Sequence, residues 1–197
     1  MIPTKPLTVL GLVAGLFLLG GCDKTEASAI RLELSKDGSG VLTVTSLAAP
    51  SEPTNLESEC SGVTFDARAA VVRVRGRVAA GASPVIAGIR CERGPSNLRI
   101  RIPRGADRKW ASALAPTDAA DRREVERATK TGGLGKSVRI EVRVPYEVTV
   151  HGFHPQLSRL KETVEQDAGV WVCALLLPVD LEKSDHDLIW DLAWRSE

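Results

Sequence analysis

Apolar and polar residues alternate along much of the chain, as expected for strands that bury one face. Residues 30–34 and 41–45 alternate in this way, and Asp37-Gly38 between them favours a tight turn. These features predict a β-hairpin at the start of the folded part of the chain. Further strands are predicted at residues 63–65, 70–78, 85–91, 98–102, 138–144, 147–151 and 170–179, the last apolar on both faces and therefore central in its sheet.

The final apolar pattern lies at residues 188–194. If this stretch is a strand, Leu188, Trp190, Leu192 and Trp194 all share one face. Each tryptophan can bury roughly 150–250 Å². We therefore expect this strand to pair back into a sheet and to close the hydrophobic core, with a ligand-binding surface as the alternative.

Two segments predict helices. Residues 117–131 begin with Thr117, a good N-terminal cap, and are followed by two glycines that end helices. Residues 156–167 carry three apolar residues at helical spacing, namely Leu157, Leu160 and Val164. Together with eight to ten short strands, these helices predict an α+β fold that is predominantly antiparallel β, arranged as a sandwich or an open barrel.

The N-terminal segment has the layout of an export signal. Lys5 is the only charged residue before Asp23, and residues 7–19 are almost continuously apolar but shorter than the roughly 20 residues of a membrane-spanning helix. Leu19-Gly20-Gly21-Cys22 matches a lipobox, so the segment resembles a bacterial lipoprotein (type II) signal peptide. The alternatives are an ordinary signal peptide with an unrelated cysteine, or an uncleaved anchor.

This resemblance implies cleavage between Gly21 and Cys22, with acyl chains such as palmitate attached at the new N-terminal cysteine. Residues 1–21 are then the signal peptide, residues 22–29 a lipid-anchored tether and residues 30–197 one β-rich domain. Asp23 corresponds to the aspartate that marks retention at the inner membrane in many Gram-negative bacteria. We therefore expect an inner-membrane lipoprotein that faces the exported side, with its domain held close to the bilayer.

A second resemblance concerns the first hairpin. The lipobox, a strand, Asp37-Gly38-Ser39-Gly40 and a return strand are similar to the start of the mycobacterial LppM-like lipoproteins. It covers about 25 residues, from the lipobox to residue 45. The resemblance implies a domain that binds an amphiphile, and it assigns no binding residue in this chain.

Three cysteines remain besides Cys22. Disulfides persist in the oxidising compartment that an exported domain would occupy. Cys60 and Cys91 lie in polar surroundings near strand ends, whereas Cys173 lies in an apolar run. We predict a Cys60–Cys91 disulfide and a buried Cys173. The cysteine spacing does not fit a zinc site.

No motif in the chain indicates a reaction or a cofactor. Residues 132–137 are similar to the end of a phosphate-binding loop, but Lys130 stands where its first glycine is needed, so no nucleotide is expected. His151 and His154 could bind a metal together with Asp185 or Asp187, although solvated or structural histidines are favoured. An envelope enzyme or metal-binding protein that uses the two histidines is therefore the alternative function.

Charge is distributed unevenly although the whole chain has a formal net charge of only +1. Residues 66–145 contain 18 Lys and Arg against 8 Asp and Glu, whereas residues 146–197 contain 4 against 10. The small total gives no reason to expect a nucleic-acid partner. Arginines alternate with apolar residues on three predicted strands, with Glu141 the only acid among them: Arg73, Arg75, Arg77, Arg99, Arg101, Arg139 and Arg143.

If those three strands are neighbours, one sheet face is strongly basic. Such a face needs compensation, since like charges on neighbouring strands repel. The acidic terminal strands or the helix at 117–131 could supply it, or an anionic lipid or acidic protein partner could. The sequence therefore predicts a lipid-anchored envelope lipoprotein with a non-enzymatic binding or structural role.

Overall fold

The computed structural model describes residues 29–46, 60–68, 71–106, 108–114, 123 and 137–195. Their regular structure consists of twelve strands and one short helix. The elements are β1 (Ala29–Leu34), β2 (Gly40–Ser46), β3 (Cys60–Arg68), β4 (Val71–Val78), β5 (Val85–Ile86), β6 (Ile89–Arg93), β7 (Asn97–Ile102), α1 (Lys109–Leu114), β8 (Ser137–Val144), β9 (Val148–His154), β10 (Lys161–Asp167), β11 (Val170–Pro178) and β12 (Leu188–Trp194).

The strands form two sheets. The larger sheet has seven strands in the order β10-β11-β8-β1-β2-β4-β3, and the smaller has five in the order β5-β6-β7-β12-β9. Neighbours run antiparallel except β1 and β8, which are parallel. The prediction of a β-rich, mainly antiparallel fold is confirmed.

The predicted N-terminal hairpin is confirmed. β1 and β2 pair antiparallel from Ala29 opposite Thr45 to Leu34 opposite Gly40. In the turn, the Asp37 carboxylate accepts hydrogen bonds from the backbone N–H and the hydroxyl of Ser39. Gly38 has a φ of 85°, which residues with a side chain rarely adopt, and this explains the glycine after Asp37.

One face of each sheet contributes to a common hydrophobic core. Alternate residues of β1 and β8 are buried on the large sheet, and alternate residues of β7 and β12 are buried on the small one. Period-two alternation gives each sheet an inner and an outer face, so the polar residues between the buried ones lie on the outer face. In β11, the adjacent residues Val172, Cys173, Ala174 and Leu175 are all buried, as predicted for a strand with neighbours on both sides.

The last strand closes the core as predicted. In β12, Leu188, Trp190, Leu192 and Trp194 are buried on one face. The strand lies between β7 and β9 in the small sheet. The Trp190 indole N–H donates a hydrogen bond to the Glu162 carboxylate on β10, which connects the two sheets. Both tryptophans are therefore core residues.

The predicted helix at 156–167 is wrong. Residues 161–167 form β10, which pairs with β11 and places Val164 opposite Cys173. The apolar residues that suggested helical spacing belong to two structures, because Leu157 and Leu160 lie in the preceding turn, where the Leu160 N–H bonds the Leu157 carbonyl at 3.1 Å. The helix predicted at 117–131 falls, apart from Arg123, outside the described residues.

Two predicted strands have different bounds in the structure. The stretch 85–91 is a small hairpin of β5 and β6, because Ala87 and Gly88 both have positive φ, 49° and 87°, and reverse the chain. The strand predicted at 147–151 continues to His154 as β9.

The predicted Cys60–Cys91 disulfide is not formed. Cys91 is a free thiol on the inner face of β6, where it is 2% exposed. Its burial raises the pKa of this thiol to about 12, so it stays protonated and unreactive at neutral pH. Cys60 belongs to β3, at the edge of the other sheet. Cys173 is free and buried, as predicted.

Candidate anion-binding face

The structure divides the seven predicted arginines between the two sheets. Strands β4 and β8 lie in the large sheet, separated by β1 and β2, whereas β7 lies in the small sheet. The arginines of β4 and β8 therefore share a sheet, and those of β7 do not. On β4, Arg73 lies opposite Thr45 in the register, and Arg75 lies opposite Thr43.

Five arginines lie on the outer face of the large sheet, because they alternate with residues of the inner face. We call this surface the arginine face. It consists of Arg31 on β1, Arg75 and Arg77 on β4, and Arg139 and Arg143 on β8. Arg31 is a residue that sequence analysis missed, although the alternation Ile30-Arg31-Leu32 gave the signal for an outward position.

Glu141 lies at the centre of the β8 half of this face. Its oxygen Oε1 is 2.7 Å from Nε of Arg143 and 2.9 Å from Nε of Arg31, and its oxygen Oε2 is 3.0 Å from Nε of Arg139. The glutamate side chain is only 5% exposed, against 43%, 27% and 30% for Arg31, Arg139 and Arg143. One buried carboxylate therefore holds three partly exposed guanidinium groups.

The arginines determine the charge state of Glu141. Burial alone would raise the pKa of this carboxyl, because a charge is harder to hold away from water. The hydrogen bonds from Arg143 and Arg139 and the nearby charges of Arg31 and Arg139 outweigh burial and lower the pKa below its usual value. Glu141 is thus ionised at neutral pH, and the cluster of three arginines and one glutamate carries two net positive charges.

The β4 half of the face is more open. Arg75 and Arg77 are exposed, and neither has an ion pair within the part of the chain that the structure describes. Between the two halves, β2 presents Val41, Thr43 and Thr45 outward, all half-buried. Thr43 is shorter than Arg31 and Arg75, which lie on either side of it in the register, and we call this strip along β2 the trough.

The two predicted arginines on β7 in the small sheet are compensated by acids. Nε of Arg99 is 2.8 Å from Asp191 on the neighbouring strand, and Nε of Arg101 is 3.2 Å from Glu92. Arg101 also lies 3.8 Å from Asp187. For these two residues, the internal compensation that the sequence left open is present.

Three further arginines of the basic segment bind backbone carbonyl groups. Arg93 donates to Gly38, Arg104 to His186 at 3.0 Å, and Arg108 to both Val179 and Leu181. The Arg108 guanidinium also lies 4.9 Å from the ring centre of Trp110, a cation–π distance. These contacts fix loops and account for part of the excess of positive charge.

The two candidate metal-binding histidines are not brought together. His151 lies opposite Leu192, a core-facing residue, and its Nε2 is 3.8 Å from Glu162. His154 lies opposite Ile189, an outward position, so the two imidazoles emerge on opposite faces of β9. Within the described ranges, no group of three or more His, Cys, Asp or Glu residues is placed to hold a metal ion.

Comparison with protein-family models, curated proteins and solved structures yields no match for this chain. Among the described residues there is also no helix that is long and apolar enough to span a bilayer. The N-terminal motif and the arginine face are therefore the features that point to a function.

Proposed function

We propose that this protein is a lipid-anchored envelope lipoprotein whose arginine face contacts the anionic headgroups of the membrane that holds it. Acyl chains on Cys22 would supply the anchor, at about 0.8 kcal/mol per buried CH₂. Basic residues near an anionic surface add about 1 kcal/mol each. Asp23 favours the inner membrane, and the role is one of binding rather than catalysis.

The observation that carries this proposal is the position of β1. β1 begins at Ala29, seven residues after Cys22, and lies in the middle of the large sheet between β8 and β2. Seven extended residues span at most about 25 Å. A lipid on Cys22 would therefore keep the centre of the arginine face within a short distance of the headgroups.

Replacing Cys22 by Ser tests the anchor. We expect the wild-type chain to incorporate a labelled palmitate analogue in cells, and the C22S variant to lose all label because the acceptor thiol is gone. C60S serves as the matched control and should label normally. Label that persists in C22S, or an unlabelled wild-type chain, would contradict lipid attachment at this residue.

The double variant Arg75→Gln/Arg77→Gln tests the face, because both side chains are exposed and unpaired among the described residues. At about 1 kcal/mol per basic residue, the double variant should bind vesicles that contain phosphatidylglycerol about thirtyfold more weakly. Binding is measured by co-sedimentation with a chain that starts at residue 22 and carries Cys22→Ser, at two salt concentrations.

The matched control for this experiment is Arg99→Gln/Arg101→Gln, which removes the same charge from the small sheet. We expect its vesicle binding to stay close to that of the wild type. Equal losses in both double variants would mean that total charge, rather than the arginine face, governs binding. If the wild-type chain does not bind vesicles at all, an acidic protein remains as the partner for this face.

A further inference from the structure

The trough along β2 has arginines on both sides at one position. Four residues form a continuous row across the sheet, in the order Glu141, Arg31, Thr43 and Arg75, and each lies opposite the next in the register. Neighbouring strands are about 4.8 Å apart, so the backbones of Arg31 and Arg75 are roughly 10 Å apart across Thr43. Both long side chains can reach a small group that lies over Thr43.

Arg31 is held in place for such a contact. Its Nε lies 2.9 Å from Oε1 of Glu141, an ion-pair distance that restricts where the guanidinium group can lie. The side chain is nevertheless 43% exposed. A guanidinium group that is anchored by an ion pair and remains partly exposed is a preorganised donor for an anion.

The other two members of the row add complementary donors. The Arg75 side chain is exposed and lacks an ion pair within the described ranges, so its guanidinium group can turn towards the trough. The Thr43 side chain supplies a hydroxyl donor on the floor of the trough. The outer positions of β2 are Val41, Thr43 and Thr45, so the floor itself carries no acid.

We propose that the trough over Thr43, between Arg31 and Arg75, binds the terminal phosphate of an anionic lipid headgroup. A phosphomonoester has three free oxygens and a charge of about −1.5 to −2 at neutral pH, so it can accept hydrogen bonds from both arginines and from the hydroxyl. A phosphodiester offers only two free oxygens. This inference rests on the proposed membrane contact and adds the headgroup that the face selects.

The test uses the full chain in micelles of a non-ionic detergent, titrated with dihexanoyl phosphatidic acid or dihexanoyl phosphatidylglycerol at constant ionic strength. Arg31→Lys and Arg75→Lys keep the positive charge but lose the planar guanidinium group with its paired N–H donors. Each should weaken the binding of phosphatidic acid about tenfold, which is the effect of one lost hydrogen bond to a charged group. Binding of phosphatidylglycerol should change little.

Arg99→Lys is the matched control. This arginine lies on β7 in the small sheet, outside the arginine face, and its replacement should leave both affinities within about twofold of the wild type. Thr43→Val is a second test, because valine has the same shape and favours a strand, so the fold is kept while the hydroxyl is lost. Thr163→Val, on the outer face of β10, is its control.

The outcomes separate this inference from the wider proposal. If Arg31→Lys, Arg75→Lys and Thr43→Val all bind phosphatidic acid as the wild type does, the trough is not the site, although a response to Arg75→Gln/Arg77→Gln would still support membrane contact through charge. If the wild type binds both lipids equally, the preference for a terminal phosphate is wrong. If no variant, including the double glutamine variant, alters binding, both proposals are contradicted.

Discussion

Replacing Trp190 by Ala should lower the free energy of unfolding by about 3–5 kcal/mol, the usual cost of removing a buried tryptophan. Trp190 is completely buried and lies opposite Ile100 on β7 and Phe153 on β9. The substitution leaves a cavity between two strand neighbours and deprives the Glu162 carboxylate of its indole donor. Urea unfolding, followed by circular dichroism, measures the loss.

Trp190→Phe separates the two contributions. Phenylalanine keeps much of the apolar volume but cannot donate to Glu162, so we expect a smaller loss, with about 1 kcal/mol from the hydrogen bond. Trp171→Ala, at the half-buried end of β11, should also cost less than Trp190→Ala. A loss of less than about 1 kcal/mol for Trp190→Ala would contradict a central role of this residue in the core.

Alternation was sufficient to predict most strands, because a two-residue period depends only on local sequence. It failed where the local signal fitted two structures. Val164 has helical spacing from Leu157 and Leu160, but it becomes a strand residue through its pairing with Cys173 on β11. That pairing depends on the rest of the sheet, which no local window contains. The β5–β6 turn was not predicted, because alanine seldom adopts a positive φ and Ala87 therefore gives no turn signal in the sequence.

The order of strands was beyond the sequence pattern. β1 and β8 are more than 100 residues apart in the chain, yet they pair in parallel and bring Arg31 next to Glu141. The alternation correctly placed Arg139 and Arg143 on one face of their strand. The alternation does not show which sheet β7 belongs to. Arg99 was therefore grouped with arginines that lie in the other sheet.

The division of the arginines between the two sheets changes how the excess of positive charge in residues 66–145 is interpreted. Some of its arginines bind backbone carbonyl groups of loops, as Arg104 and Arg108 do. Others pair with acids on the small sheet, as Arg99 does. Among the described residues of this segment, Arg75, Arg77, Arg139 and Arg143 lie together on one outer face. A composition count overstates the charge available to a partner, whereas the sheet register identifies which arginines are available.

Replacing Glu141 by Gln should lower the free energy of unfolding by about 2 kcal/mol at neutral pH. Removing one partner of a buried ion pair costs about 3–5 kcal/mol. Arg31, Arg139 and Arg143 are partly exposed, so water screens their charges and the loss of stability should be smaller. The glutamine amide group also presents N–H donors to three guanidinium groups. Thermal and urea unfolding measure the loss.

The pH dependence gives the sharper test of the same cluster. The pKa of Glu141 is lower in the folded chain than its usual value, so the stabilisation is complete above the unfolded pKa, near 4.3, and is lost as the pH falls through the folded pKa. The wild type should therefore lose stability in acid more steeply than Glu141→Gln, and the two curves should converge.

Glu33→Gln is the matched control for both measurements. Glu33 lies on the same outer face, opposite Arg143, and forms no ion pair within the described ranges, so its removal should cost less than about 0.5 kcal/mol and leave the acid profile unchanged. If Glu141→Gln behaves like Glu33→Gln, the arginines do not depend on the buried carboxylate, and Arg31 is not held in the position that the phosphate site requires. Convergence of the wild-type and Glu141→Gln curves in acid would instead show that the ionised Glu141 carboxylate stabilises the fold through the arginines of β1 and β8.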